Sequence, residues 1–277
     1  FSTSILAAEV KCPCTRDVWL SAANNDEVDT NGGKSAKIKL KVWQEFALID
    51  FDVKEIKGQK IVSAVLHVAP SGGAVHGKQR GTDLRWFSAS TVSSEWVEGE
   101  GTSYSKDEQG KGATFKEASF GARPWAFPGS KCWDVILGNG HTLRCDVDAG
   151  DPRNGWFHIP LDKRLVEALV AGASHGLLLM DGSTGVDRNC YNASKETAKA
   201  TYLSVTVEGA DQDAPAVPGK PALKAATNEA SADKGAAELS FSVPDGAFAY
   251  RIKLNGADLP RWRVPFAGKA GSTQTIL

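Results

Sequence analysis

Between Ser93 and Asp134 the chain gathers residues that could do chemistry on a sugar: Trp96, Tyr104, Phe115, Phe120, Trp125, Phe127 and Trp133 are interspersed with Glu95, Glu98, Glu100 and Arg123. Sugars offer flat apolar faces ringed by hydroxyls, so a site for them combines indole or phenol planes with charged or amide hydrogen-bonding groups. Trp96, Glu98, Tyr104, Arg123 and Trp125 would supply that combination if the segment folds back on itself. The same tryptophans would serve equally as anchors that pin a long segment onto a sandwich. A catalytic version needs a pair of carboxylates flanking the bond to be cut. Glu98 and Glu100 would share one strand face with Trp96, although glutamates beside glycine are mostly solvated. The five histidines, His67, His76, His141, His158 and His175, include no HExxH spacing, and there is no GxSxG elbow.

Metal and thiol chemistry have thinner support. Asp29-Thr30-Asn31-Gly32 resembles the start of a calcium loop, but the glutamate required at the twelfth position is Leu40, which excludes an EF-hand. Oxygen-rich loops in β-sandwiches also hold calcium through side chains distant in sequence. Asp26, Asp29 and Asn31 are therefore structural calcium candidates, with a solvated Asx turn as the other reading. No other cofactor is called for. Gly33-Lys34-Ser35 fails as a phosphate loop because the upstream glycine falls on Val28. Cys12-Pro13-Cys14 lacks the two-residue gap of zinc ribbons. Val135-Ile136-Leu137 and Thr142-Leu143-Arg144 flank the turn-like Gly138-Asn139-Gly140, so a hairpin would bring Cys132 and Cys145 together as a disulfide. Such a bond persists only in an oxidising compartment.

Composition narrows the partners. Lys and Arg total 32 against 33 Asp and Glu, which leaves no positive excess to neutralise phosphates, so nucleic acid is excluded. No run of about 18 apolar residues is present, and no membrane span is expected. Phe1 to Glu9 reads either as the end of a secretory signal or as an ordinary disordered start.

The elements that must position these residues are β-strands. Lys37 to Val42 alternates charge with hydrocarbon, giving one wet and one buried face, and Phe46–Val53 and Ile61–Val68 repeat the period with more apolar content. Val18-Trp19-Leu20, Asp83 to Phe87 and Gly155 to Pro160 are further strands. Asp162 caps a short helix over Lys163–Ala171 that ends at Gly172 and plugs one end of the sandwich. Gly176 to Asp181 is a strand buried on both faces, and Thr201 to Val207 is the last alternating strand of the unit. Asn192-Ala193-Ser194 is a glycosylation acceptor sequence in the polar stretch between them. The fold class is all-β: a jelly-roll β-sandwich over 14–209 with one short helix, after an N-terminal segment over 1–13. A Pro/Ala-rich linker over 210–220 then leads to the start of a second, Ig/fibronectin-like sandwich over 221–277. A fibronectin-type sandwich takes about 100 residues, so this second unit is expected to be open.

With those pieces in order, residues 14 to 208 resemble a DNRLRE-type domain, related to carbohydrate-binding module family 96. The likeness rests on Asp17-Val18-Trp19-Leu20, on Ala47 to Asp52, on Ile61 to Val68 and on Trp96-Val97-Glu98-Gly99. It continues in His175-Gly176-Leu177-Leu178-Leu179 and Tyr202 to Val207. Residues 215 to 277 are similar to the front half of a fibronectin type III domain, with Phe241 where such domains usually carry a core tryptophan. The resemblance implies a β jelly roll in a secreted or surface-attached bacterial protein, beside catalytic or fibronectin modules, with glycan binding in some relatives. The leading expectation is a non-catalytic binder of a polysaccharide or cell-surface glycan. A structural spacer presenting a neighbouring domain of the same chain comes second, and a carbohydrate-active enzyme third. A binder should show an aromatic cleft open to solvent, a spacer should bury all eight tryptophans, and an enzyme should set paired carboxylates across a pocket.

Overall fold

The computed structural model describes residues 7–72, 74–75, 79–80, 86–136, 142–182, 189–210, 224–227 and 237–276. His76, His141, the Gly138-Asn139-Gly140 turn, residues 1–6 and the linker from 211 to 220 lie outside these residues. In chain order the first unit runs β1 (Ala8–Ser21), β2 (Lys37–Leu40), β3 (Glu45–Phe51), β4 (Gln59–Val68), β5 (Ala74–Val75), β6 (Gln79–Arg80) and β7 (Trp86–Thr91). It continues through β8 (Glu117–Ser119), β9 (Arg123–Pro124), α1 (Cys132–Ile136), β10 (Arg144–Asp148), β11 (Phe157–Leu161), α2 (Lys163–Val170), β12 (Leu177–Asp181), β13 (Cys190–Ala193) and β14 (Tyr202–Ala210).

Eight of these strands follow one another in the order β10-β7-β12-β3-β1-β14-β4-β11, every pair antiparallel. β1 belongs to both layers of the sandwich. Its first half pairs with β14 from Ala8↔Val207 to Pro13↔Tyr202, and its second half pairs with β3 from Cys14↔Phe51 to Ser21↔Glu45. A register shift between Cys14 and Arg16 marks the crossing, since a bulge bends a strand and raises its twist. From β3 onward the chain wraps back and forth between the layers, in the manner of a jelly roll. The short strand Val18–Leu20 of the sequence reading is thus the middle of a much longer one.

Alternation decides what lies between the layers. Leu66, Val68, Ile159, Leu203 and Val205 from one sheet meet Trp19, Ala47, Ile49, Ala89 and Leu177 from the other, all buried. α2 closes this core with Leu165, Val166 and Leu169, which recur at helical spacing on one face. Its Asp162 cap is formed as expected, with Oδ1 accepting from the Arg164 amide at 3.0 Å.

The second sheet is buried on its other face too. Val18, Leu20, Phe46, Leu48, Leu178 and Met180 point away from the first core and need a cover, which the excursion from Ser93 to Asp134 provides. Trp96, Phe115, Trp125, Cys132 and Val135 descend onto them as a second core. Val135 and Ile136 are in helix α1 rather than a strand, so the expected hairpin does not form. Cys132 and Cys145 are both free thiols, as are Cys12, Cys14 and Cys190. Asn192 is 1% exposed in β13, whose partner is β2, so its amide is no glycosylation acceptor in the folded chain.

After the linker, β15 (Lys224–Thr227), β16 (Ala237–Ser242) and β19 (Thr273–Ile276) make a three-stranded antiparallel sheet. β17 (Lys253–Leu254) and β18 (Ala257–Asp258) form a hairpin whose turn residues Asn255 and Gly256 both have positive φ, as a tight hairpin turn requires. Of the apolar stretch Phe248 to Gly256, only Lys253–Leu254 forms a named strand. Phe241 is buried with Tyr250 edge-on at 5.0 Å.

Candidate functional site

Trp96 and Trp125 are each 1% exposed, and neither can stack on a ligand. Of the two readings, ligand wall or anchor, these two rings take the second, because the outer face of the second sheet is apolar and takes them in. Trp96 donates Nε1 to the His175 carbonyl at 2.5 Å, and Trp125 donates to the Thr114 carbonyl at 3.0 Å, which satisfies both indoles internally. Glu98 is held by the Asp17 amide at 2.8 Å and by Lys195 Nζ at 3.1 Å. Tyr104 is exposed, yet its hydroxyl is tied to Glu45 at 2.9 Å and to Lys39. Arg123 lies on the surface and donates to the Glu95 carbonyl at 2.8 Å. The five residues do not converge on one concavity; they hold the excursion down.

The calcium candidates have structural duties as well. Asn31 is fully buried. Its Nδ2 donates to the carbonyls of Glu98 (2.9 Å) and Ala113 (2.8 Å), and its Oδ1 accepts from the amides of Gly33 (3.1 Å) and Gly101 (3.0 Å). With that oxygen facing two N–H donors, no cation can sit against it. Asp29 pairs with Lys116 at 2.9 Å, while Asp26 is exposed in the Asx turn begun by Asn24. Among the described residues no group of three or more His, Cys, Asp or Glu side chains could hold a metal ion.

Asp107 repeats the keystone role, with Oδ2 accepting from Glu100 and Gly112 and Oδ1 from Gly110. The glycines around these two side chains are there for space: a Cβ on Gly101 would fall 2.4 Å from the Asn31 carbonyl oxygen.

A charged cluster pins the other end of the excursion. Arg16 bridges Asp50 (3.0 Å) and Glu95 (2.6 Å) and lies 4.2 Å over the Trp96 ring, and Glu95 also reaches His175 Nδ1 at 2.6 Å. Burial would raise the Glu95 carboxyl, but the Arg16 hydrogen bond and charge outweigh it and hold the group below the ordinary range. Burial likewise pushes His175 below its ordinary value, against the pull of Glu95. Nearby, burial drives Asp17 up to about 7, although the Lys195 amide bond opposes the shift.

The cover is incomplete, and the gap is the candidate site. Where the excursion stops, the outer face of β10, β7 and β12 leaves a groove of about 180 Å³ lined by Trp43, Trp86, Ser88, Arg144, Asp146, Met180, Asp181 and Gly182. Two of the most exposed large apolar residues stand in it, Trp43 at 58% and Trp86 at 52%. Trp43 sits in the tight turn between β2 and β3, closed by the Lys41↔Glu45 bridge, with φ 57°, a left-handed conformation that costs a bulky residue about 1–2 kcal/mol. Its indole stacks on Trp133 at 5.7 Å and 15°, and Trp133 in turn packs edge-on against Phe46 at 5.7 Å. One face of Trp43 is therefore clamped to the second core, which fixes the ring as a wall.

The floor is polar and internally paired. Asp146 lies opposite Ser88 in the β10–β7 register, and its Oδ1 accepts from Ser88 Oγ and from Arg144 Nε (3.0 Å) and Nη2 (2.8 Å). Burial would raise Asp146, but the Ser88 and Arg144 hydrogen bonds prevail and keep it below the ordinary range. Asp181 is 3% exposed, with Oδ2 accepting from the Cys190 thiol at 3.4 Å. Trp43 and Trp86 went unnoticed in the sequence because one lies in a turn and the other opens a strand after an irregular stretch. The available signal was the even-numbered pattern Trp86, Ser88, Ser90 against Arg144, Asp146, Asp148, polar where a covered face would be apolar.

No protein-family model matches the chain, and no curated protein matches it. The groove is therefore interpreted on its own chemistry.

Proposed function

We propose that the first unit is a non-catalytic glycan-binding module of a secreted or surface-attached protein, and that it binds through the groove between Trp43 and Trp86. The observation that carries this reading is the pair of exposed indoles, one of them braced in a strained conformation, beside a floor of hydrogen-bonding groups. Rigid aromatic planes with a few fixed polar groups are what sugar rings require. The resemblance of residues 14 to 208 to DNRLRE-type domains points the same way. A spacer has no use for two exposed tryptophans, and an acid catalyst needs a carboxyl raised in pKa, whereas Asp146 is held low. The free thiols are compatible with an extracellular setting, since burial pushes Cys12 up to about 11 and also raises Cys132 and Cys145, which keeps them protonated and unreactive.

Affinity electrophoresis and calorimetry against a panel of polysaccharides test the proposal. Wild type should be retarded by at least one of them, and Trp86→Ala should weaken that binding about five- to tenfold, the equivalent of about 1 kcal/mol of stacking. If no polysaccharide is bound, or Trp86→Ala and Trp43→Ala bind as wild type does, the module is a spacer and the groove is not its site.

A further inference from the structure

We infer that the groove takes a neutral pyranoside and reads two adjacent hydroxyls of it through Arg144 and Asp146; this rests on the glycan-binding reading above. Three of the five N–H groups of Arg144 are spent, Nε on Asp146 Oδ1 (3.0 Å) and Nη2 on Asp146 Oδ1 (2.8 Å) and Ser88 Oγ (3.1 Å). Nη1 has no partner among the described residues. Asp146 Oδ1 collects all the donors that reach this carboxylate, so Oδ2 likewise has none. The floor thus offers, on one rigid ion pair, two N–H donors beside a bare carboxylate oxygen.

Adjacent hydroxyls on a pyranose fit that pattern. One donates to Asp146 Oδ2 while its neighbour accepts from Arg144 Nη1, and each charged partner strengthens the bond it makes. An anionic sugar fits badly. Its carboxylate or sulfate would meet a cation already neutralised by Asp146, with that carboxylate half-exposed in the floor and a second acid, Asp181, also lining the groove. The size agrees, because about 180 Å³ is below the roughly 300 Å³ at which drug-sized pockets begin and accommodates one ring with its neighbours over the open rim. Trp86 and Met180, on adjacent strands of the same face, supply apolar surface beside the polar pair.

Calorimetry with neutral galactomannan, xylan and laminarin, set against polygalacturonate and alginate at low and high salt, separates the outcomes. At least one neutral polymer should bind tenfold or more tightly than both acidic ones, with affinity changing less than twofold between 50 and 500 mM NaCl. Asp146→Asn leaves one oxygen for Arg144, turns the bare acceptor into an N–H donor and takes away the counter-charge of Arg144, so it should lose about tenfold on the neutral polymer and gain on polygalacturonate. Arg144→Gln should lose on the neutral polymer without that gain, and both variants should melt within a few degrees of wild type, as surface substitutions do. Tighter binding of the acidic polymers by wild type, weakened by Trp86→Ala, overturns the neutral-sugar inference and leaves glycan binding standing. Binding of a neutral polymer that neither Asp146→Asn nor Arg144→Gln weakens also overturns it. Binding of none of the polymers overturns both readings.

Discussion

Asn31→Ala should loosen the whole excursion from Ser93 to Asp134, although residue 31 is far from that segment in sequence. The substitution leaves four backbone groups without these partners: the buried amides of Gly33 and Gly101, the buried carbonyl of Ala113 and the part-buried carbonyl of Glu98. Each such group costs about 1–3 kcal/mol when stranded, so the low end of the range for four of them is about 4 kcal/mol. One water entering the vacated space restores about three hydrogen bonds at some entropic cost. The net loss expected is therefore about 2–4 kcal/mol, large for a single polar side chain. Urea unfolding followed by tryptophan fluorescence reads it, because Trp96 and Trp125 lose their burial when the cover lifts. Limited proteolysis should cut first between Glu98 and Ala113. Asn31→Asp should be at least as damaging, since it turns an acceptor toward two carbonyl oxygens and buries a charge. A loss below about 0.5 kcal/mol for Asn31→Ala would refute the keystone argument. Rescue of Asn31→Asp by calcium would return the loop to the metal reading.

Three further outcomes follow from the same structure. The folded Asp17 carboxyl titrates near 7, above its unfolded value of about 4, so the folded state holds the proton more tightly. Its stabilising contribution is present below about pH 4 and is lost as pH rises through about 7, and Asp17→Asn should flatten the fall in melting temperature between about pH 4 and 7. Thiol titration with Ellman's reagent should be slow in the native protein and give five thiols in guanidinium, and a non-reducing peptide map should contain no Cys132–Cys145 link; finding that link would show the α1 region to be wrong. Trp43→Gly should remove glycan binding yet leave stability within about 1 kcal/mol of wild type, because relief of the left-handed φ offsets the lost stack on Trp133. A Trp43→Gly protein that binds as wild type does would remove Trp43 from the site.

The strands Lys37–Leu40, Glu45–Phe51 and Gln59–Val68, the capped helix after Asp162 and the closing strand from Tyr202 were all legible in the sequence, although Glu45–Phe51 is buried on both faces and keeps no wet side. Each rests on a period of two or 3.6 within a few residues, which the backbone enforces locally. Which way an aromatic ring in a long irregular segment faces has no such period. Trp96 and Trp125 are buried because Phe46, Leu48, Leu178 and Met180, on strands distant in sequence, present an apolar face that had to be covered. The strands apolar on both sides carried that demand, without saying which segment would meet it. The groove is settled later still, as the part of the face the excursion fails to reach. Trp43 becomes a wall of the groove only because its turn lands beside Trp133, and Arg144 and Asp146 become a floor only because β10 pairs with β7 in a register that sets Asp146 against Ser88. Local periodicity fixes strands and helices; tertiary packing decides which side chains are left facing water, and the candidate site is made of those.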